Sequence, residues 1–318
     1  MGSLSENTKI NLKNILEKKI DELLSYYEEE HFKLHGPDPF GLVPKNFAKG
    51  LRLLLPIYQD YFRVHTFNAE NIPEGPVMIV ANHSGQLPFD GMMLALSFFL
   101  HAPKPIIPRS MADRFLMKLP FLGKLAAETG AILGDRKNCH YILKKQESTL
   151  IFPEGIRGIS KNTTQFYHLK PFSHGFARLS LAHKMTILPV SIVGAEESYP
   201  LVLQLPMLAK LLNIPSFPLT PLFPLAGPLG MIPLPAPMDI YFGKPVKLPE
   251  DLHPDVADDE LKPYVFNIQE NIQQQIREGR KNKRPIFDDE LKVNALKYYN
   301  LLKNRSGLVM NFLAREKK

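Results

Sequence analysis

The sequence predicts an α/β fold with helical extensions at both ends, on two observations. Between Pro76 and Val193, apolar runs of strand length alternate with runs of helical length, the order that builds a sheet covered by helices. Ahead of that stretch the period is helical: Leu12, Leu16, Ile20, Leu23 and Tyr27 form a stripe over 8–31 that stops before Gly36-Pro37. The expected organisation is a helical N-terminal extension over 1–68, a central domain over 69–250 and a basic helical extension over 251–318.

Taken in order, Pro44 to Val64 reads as a helix that Pro56 kinks or splits. Lys45, Lys49, Arg52 and Arg63 lie there among Leu51, Leu53, Leu54, Leu55, Tyr58, Tyr61 and Phe62, a composition that suits either a membrane interface or packing on the core. Val77 to Ala81 is five apolar positions in succession, a buried strand. Gly85 and Pro88 then break regular structure, and Gly91 opens a helix to about 101. Pro105 to Pro108 reads as a short extended piece, and Ser110 as the cap of a helix over much of 111–128. Ala131 to Leu133 is a brief strand, followed by a helix near 138–147 and a strand over Ser148 to Phe152. A helix near 174–183, a strand over Met185 to Val193 and a last strand over Met238 to Phe242 complete the series. From Leu201 to Met238 the chain holds nine prolines and one charge, Lys210; the prolines preclude one long helix, and so many apolar residues cannot all face water.

Composition narrows the function. The 318 residues fit one large domain with accessories or two small ones, and 44% hydrophobic content is ordinary for a globular chain. The single cysteine, Cys139, excludes an intramolecular disulfide framework and a multi-cysteine metal site, and fits a reducing compartment. Lys262 to Lys318 holds 13 Lys/Arg against 6 Asp/Glu, which equals the whole-chain excess of +7. Such a segment meets anionic lipid or an acidic carrier, or is a solvated helical face; without a nucleic-acid-binding motif, nucleic acid ranks last. Residues 1–30 are too charged for a signal peptide, and no run of 18 uncharged apolar residues suits a spanning helix.

The chemistry concentrates on loops that follow strands. Asn82-His83 and Asp90 leave the strand at 77–81, the place where ligands bind in open α/β sheets. A neutral imidazole at His83 can take a proton from an attacking hydroxyl, with Asp90 holding the other ring nitrogen. The bland alternative makes Asp90 a helix cap and Asn82-His83 part of a turn. Glu128 to Arg136 places an arginine beyond one strand, and Phe152-Pro153-Glu154-Gly155-Ile156-Arg157-Gly158 places a carboxylate, two glycines and a second arginine beyond the next. Guanidinium groups hold phosphate in a bidentate fork, and glycine lets backbone approach a ligand; each arginine alone reads as a surface residue. Leu188-Pro189-Val190 alone reads as core strand with an unusual proline.

In this order, the four segments resemble the ordered blocks of the glycerolipid acyltransferase family, which includes lysophosphatidic acid and glycerol-3-phosphate acyltransferases. The resemblance covers about 70–245. It implies a mixed, largely parallel sheet flanked by helices, and an acyl chain moved from acyl-CoA or acyl carrier protein to a glycerolipid hydroxyl, lysophosphatidic acid or a related lysolipid. By the same resemblance His83 is the base and Asp90 its partner; Arg136, Glu154, Gly155 and Arg157 bind the acceptor, and Pro189 of the fourth block is counted with them. No cofactor is expected beyond the acyl donor, and no metal: there is no HExxH, no GxSxG elbow and no Walker loop. The expected location is peripheral or monotopic on the cytoplasmic side of a membrane. There the proline-broken stretch would lie near the acyl channel and dock on the bilayer; the alternative buries it in a core or an oligomer interface.

One departure stands out. The family usually has four residues between histidine and aspartate; here six intervene, Ser84 to Phe89, and Pro88 stands at the usual aspartate position. Either the loop bulges through Gly85 and Pro88 so that Asp90 still reaches His83, or the dyad is broken; glycine and proline are what such a detour requires, and the bulge is the expected form. The departure keeps open transfer to mono- or diacylglycerol, a non-catalytic lipid- or acyl-carrier-binding protein with a degenerate site, and a thioester hydrolase.

Overall fold

In the computed structural model the chain is described over residues 6–29, 37–200 and 202–300. Helix α1 (Glu6–Glu29) buries Leu16, Ile20 and Leu23, the stripe read from the sequence. Helix α2 (Pro44–Pro56) starts on a proline whose missing N–H costs nothing in a first turn, and gives way after Pro56 to a π-helical turn, Ile57–Tyr61. Its apolar side faces inward: Phe47, Leu51, Leu55, Tyr58 and Phe62 are buried, and only Leu53, at 75% exposure, stands clear of the protein among the apolar residues named there. Arg52 pairs with Glu17 at 2.7 Å. Arg63 is buried, donating to the Tyr61 and Ile286 carbonyls and paired with Asp288 at 3.2 Å. Core packing thus accounts for most of the apolar residues of 44–64 and for Arg63, with Leu53 left facing outward.

Strand β1 (His65–Phe67) draws the end of this N-terminal region into the sheet. Strand β2 (Val77–Ala81) is buried throughout, and α3 (Phe89–His101) follows. Ser110 does not cap a helix. It lies in strand β3 (Arg109–Ala112), opposite Leu150, and the cap is Asp113, whose carboxylate accepts the Phe115 N–H at 2.7 Å. The expected helix over 111–128 is two, α4 (Arg114–Lys118) and α5 (Leu122–Glu128), parted at Pro120, which lacks an N–H and disfavours helix in the residue before it. Then come β4 (Ile132–Leu133), α6 (Arg136–Lys144), β5 (Thr149–Ile151), α7 (Ile156–Ile159), α8 (Gly175–His183) and β6 (Thr186–Val193). The proline-rich stretch forms a small hairpin, β7 (Leu203–Gln204) and β8 (Pro218–Leu219), enclosing α9 (Pro206–Leu211). Strand β9 (Asp239–Phe242) and helix α10 (Asp258–Lys281) follow.

Among the described residues, seven strands form one mixed, mostly parallel sheet in the order β1-β9-β6-β2-β5-β3-β4. Strands β6, β2, β5, β3 and β4 run parallel, and β9 lies antiparallel to β6. Alternation along β2 sends Val77, Ile79 and Ala81 into a core shared with α1, α2 and α3, and Met78 and Val80 into one shared with α8 and α10. Burial on both faces is why the strand reads as an unbroken apolar run. Helix α10 contributes Leu261, Val265, Ile268, Ile272 and Ile276 to the second core, so the basic C-terminal segment has a structural inner face; residues 301–318 lie outside the described residues. Among the described residues no helix is long and apolar enough to cross a membrane, and no group of three or more His, Cys, Asp or Glu is placed to hold a metal.

Candidate active site

Parallel strands end on a common edge, and β2, between β5 and β6, delivers His83 to its middle. Asn82 fixes the exit point. Its side-chain amide donates to the Ile192 carbonyl at 3.0 Å and accepts the Ile192 N–H at 2.8 Å, extending the ladder onto β6 by one peptide-like unit. The six-residue detour closes: with Gly85 at φ +83°, the chain turns back so that Asp90, in the first turn of α3, meets His83 Nδ1 at 2.6 Å. Asp90 is buried, and its carboxylate also accepts the Ser84 N–H at 2.9 Å and the Gly91 N–H at 2.7 Å. The His83 ring stacks on Phe152, centroids 4.2 Å apart. Its side chain is 16% exposed, and Nε2 has no partner among the described residues. With Nδ1–H committed to a carboxylate, the tautomer that results carries its lone pair on Nε2, where a proton can be received.

Beneath His83 lies a buried charge cluster. Glu154, after β5, accepts the His83 N–H at 3.0 Å and the Lys170 N–H at 2.7 Å, and pairs with Lys161 at 3.1 Å. Glu196, after β6, pairs with the same ammonium at 3.4 Å and accepts the Tyr167 N–H at 2.6 Å. Lys161 Nζ also donates to the His83 carbonyl at 3.4 Å, so one lysine ties three strand ends together. Burial pushes the Glu196 carboxyl from its ordinary 4.5 up to about 7, against the pull of Lys161. The folded protein thus keeps this proton at pH values where the unfolded chain releases it. Its contribution to stability is full below about 4.5 and is lost as pH rises through about 7. Glu196→Gln is expected to flatten that part of the stability profile: urea midpoints from pH 5 to 8 should fall less for the variant than for the wild type, and parallel profiles would show Glu196 ionised throughout.

A family model described as Acyltransferase matches residues 63–193. An uncharacterised protein of Mycobacterium tuberculosis is 38% identical over 258 residues, which is 80% of this chain and 72% of the relative. The chain belongs to the acyltransferase family. The resemblance read from the four blocks is thereby borne out. A human protein named "DGAT1/2-independent enzyme synthesizing storage lipids" is 28% identical over 139 residues, 43% of this chain and 41% of that protein. The crystal structure of the 1-acyl-sn-glycerophosphate acyltransferase PlsC from Thermotoga maritima is similar over 74% of this chain and 78% of its own, at 18% identity and a TM-score of 0.46.

Within this acyltransferase the remaining block residues divide. Gly155 stands at φ +57° and ψ −146°, a conformation only glycine adopts freely; a Cβ there would meet nothing, so backbone shape rather than space requires it. Gly158 is the reverse case, since a Cβ would lie 2.8 Å from His83 Cβ and 3.0 Å from the His83 carbonyl. Arg157 is exposed at the same edge, leaning on its own loop through the Pro171 carbonyl at 2.8 Å. Arg136 begins α6 beyond β4, three strands from β2, or roughly 14 Å at about 4.8 Å per strand. Glu154, expected to bind acceptor, turns its carboxylate inward, where both oxygens are engaged. Pro189 lies inside the sheet opposite Val80, its carbonyl taking the Gly243 N–H at 2.8 Å where β9 ends, so its missing N–H falls where the ladder stops. Neither group is presented at the edge beside His83. Lys161 and Glu196 went unseen in the sequence, because charges in loops read as solvated; the one available signal was a carboxylate three residues past the apolar run of β6.

Proposed function

We propose that this acyltransferase moves a fatty acyl group from a thioester donor, acyl-CoA or acyl carrier protein, to a glycerolipid hydroxyl, with His83 as general base. The observation that supports this reading is the 2.6 Å contact of Nδ1 with a buried Asp90, with the opposite ring nitrogen left unpartnered among the described residues. The acceptor hydroxyl gives its proton to Nε2 as its oxygen attacks the thioester carbonyl, and Asp90 stabilises the imidazolium that forms. Collapse of the tetrahedral adduct breaks the C–S bond, and the imidazolium returns the proton to the leaving thiolate. Glu154 and Lys161 position His83 through its backbone. The acceptor proposed first is lysophosphatidic acid or a related lysolipid, its phosphate held by Arg157 and Arg136. A neutral mono- or diacylglycerol is the second reading, favoured by the engagement of Arg157 with the Pro171 carbonyl and by the name of the human relative.

Purified protein given acyl-CoA or acyl carrier protein and a panel of acceptors tests both. Transfer to lysophosphatidic acid, with Arg157→Ala raising the acceptor KM more than the donor KM, is the expected result. Equal rates on phosphorylated and unphosphorylated acceptors would move the assignment to the neutral glyceride, and binding without turnover would leave a carrier protein. We also propose that acceptors reach the site from a bilayer on which the protein sits through the hairpin that follows β6. Its exposed leucines are each worth roughly 1.5 kcal/mol or more once out of water.

A further inference from the structure

The hairpin and the active site share hydrogen bonds. Over 202–232 the exposed side chains include Met207, Leu211, Leu222, Leu225 and Leu229, with Leu225 at 93%, and the single charge is Lys210. A second copy would bring one +7 chain against another, whereas an anionic lipid surface complements both the lone lysine and the net charge. The base of this element is sewn to two active-site segments. Gln204 N–H donates to Asn162 Oδ1 at 2.7 Å, Val202 N–H to Thr163 Oγ1 at 2.7 Å, and Thr163 N–H to the Val202 carbonyl at 3.1 Å, next along the chain from Lys161. Gln204 Nε2 donates to Gln86 Oε1 at 3.0 Å, and Gln86 Nε2 in turn to the Ile159 carbonyl at 3.0 Å. Gln86 belongs to the six residues between His83 and Asp90. Nearby, Tyr199 lies against Gly85 and donates its hydroxyl to the Met231 carbonyl at 2.7 Å, joining the apolar segment that follows β8 to the same loop.

We propose that the Gln204–Gln86 clasp couples docking of the leucine-rich hairpin on an anionic lipid surface to the loop that holds Asp90 against His83. The reaction this would serve rests on the function proposed above; the coupling itself does not. Gln204 Oε1 is buried without a partner among the described residues, so the clasp uses one of the two polar ends it has, and a small shift of β7 can rearrange it. Gln86 and Gln204 are positioning residues, acting on His83 and Asp90 through the loop backbone.

Hydrogen exchange on the full chain, alone and with vesicles of phosphatidylcholine and phosphatidylglycerol, tests this without reference to turnover. Vesicles are expected to slow exchange by about fivefold or more both in the hairpin and at the amides of residues 85–87. Gln204→Ala should keep vesicle flotation and hairpin protection but lose the protection at 85–87, and Gln86→Ala, which removes the same bond from its other side, should behave alike. Leu211→Asp should weaken flotation and both protections together. Protection at 85–87 that survives both glutamine variants, or hairpin protection with no change at 85–87 in the wild type, overturns the coupling. A hairpin protected only at high protein concentration without vesicles overturns the lipid assignment in favour of a second copy. Absence of acyl transfer would count against the proposed function and leave these exchange results standing.

Discussion

His83→Ala is expected to lower acyl transfer by about 10²–10⁴-fold while the protein stays folded, because a positioned general base typically contributes that much to a proton-transfer step. Folding should survive because Asp90 keeps its Ser84 and Gly91 N–H partners when the imidazole is gone. A loss below about threefold would remove His83 from the base role. Asp90→Asn should cost much of the rate as well: an amide at that position no longer selects the tautomer with Nε2 free. If the dyad assembles as its 2.6 Å contact indicates, the double variant should be little worse than either single one, since two residues acting as a unit are not additive. Full activity in Asp90→Asn would show that the contact does not serve the reaction.

The largest expected effect on stability is at Lys161. Its ammonium lies 3.1 Å from Glu154 and 3.4 Å from Glu196 with all three side chains buried, so Lys161→Ala leaves two carboxylates facing one another without a counter-charge. Breaking a buried ion pair from one side costs about 3–5 kcal/mol, and the cost should be smaller at pH 6 than at pH 8, because Glu196, pushed up to about 7, takes a proton at the lower value. Urea unfolding at the two pH values measures this directly. A loss below about 1 kcal/mol at pH 8 would mean that water reaches the cluster and screens it, as at an exposed pair.

What was legible in the sequence follows from burial and spacing. Strands β2, β5 and β6 lie centrally, are covered on both faces and announce themselves as apolar runs. Strand β3 is Arg-Ser-Met-Ala, too short and polar to stand out. Its arginine is buried all the same, paired with Asp38 and Glu147, partners 71 and 38 residues away. The same distance in sequence hid the cluster beneath the histidine: Glu154 and Lys161 follow one strand, but Glu196 arrives from another, and its place just past the apolar run of β6 was the one local sign. Arg63 misled for the converse reason, since a basic residue beside leucines looks interfacial until Asp288 is brought to it. The histidine and aspartate could be named because they sit on one loop. Whether they touch was decided by Gly85, Pro88 and the start of α3.

The side-chain amide of Asn82, standing in for a peptide group against Ile192, separates two things that a loop would otherwise mix. It clamps the departure of the chain from the sheet one residue ahead of His83, while Asp90 is seated in the first turn of α3. The span between these two moorings is itself tied down, by the Ser84 N–H on the Asp90 carboxylate and by Gln86 on the Ile159 carbonyl and Gln204. A change of length within residues 84–89 therefore alters both the wall that faces an incoming acceptor and the hold on Asp90, whereas a side chain that makes neither contact can change alone. A redesign of acceptor preference can therefore begin with substitutions at Leu87, exposed on this loop, leaving the histidine, the aspartate, the asparagine and the Gln86 contacts untouched.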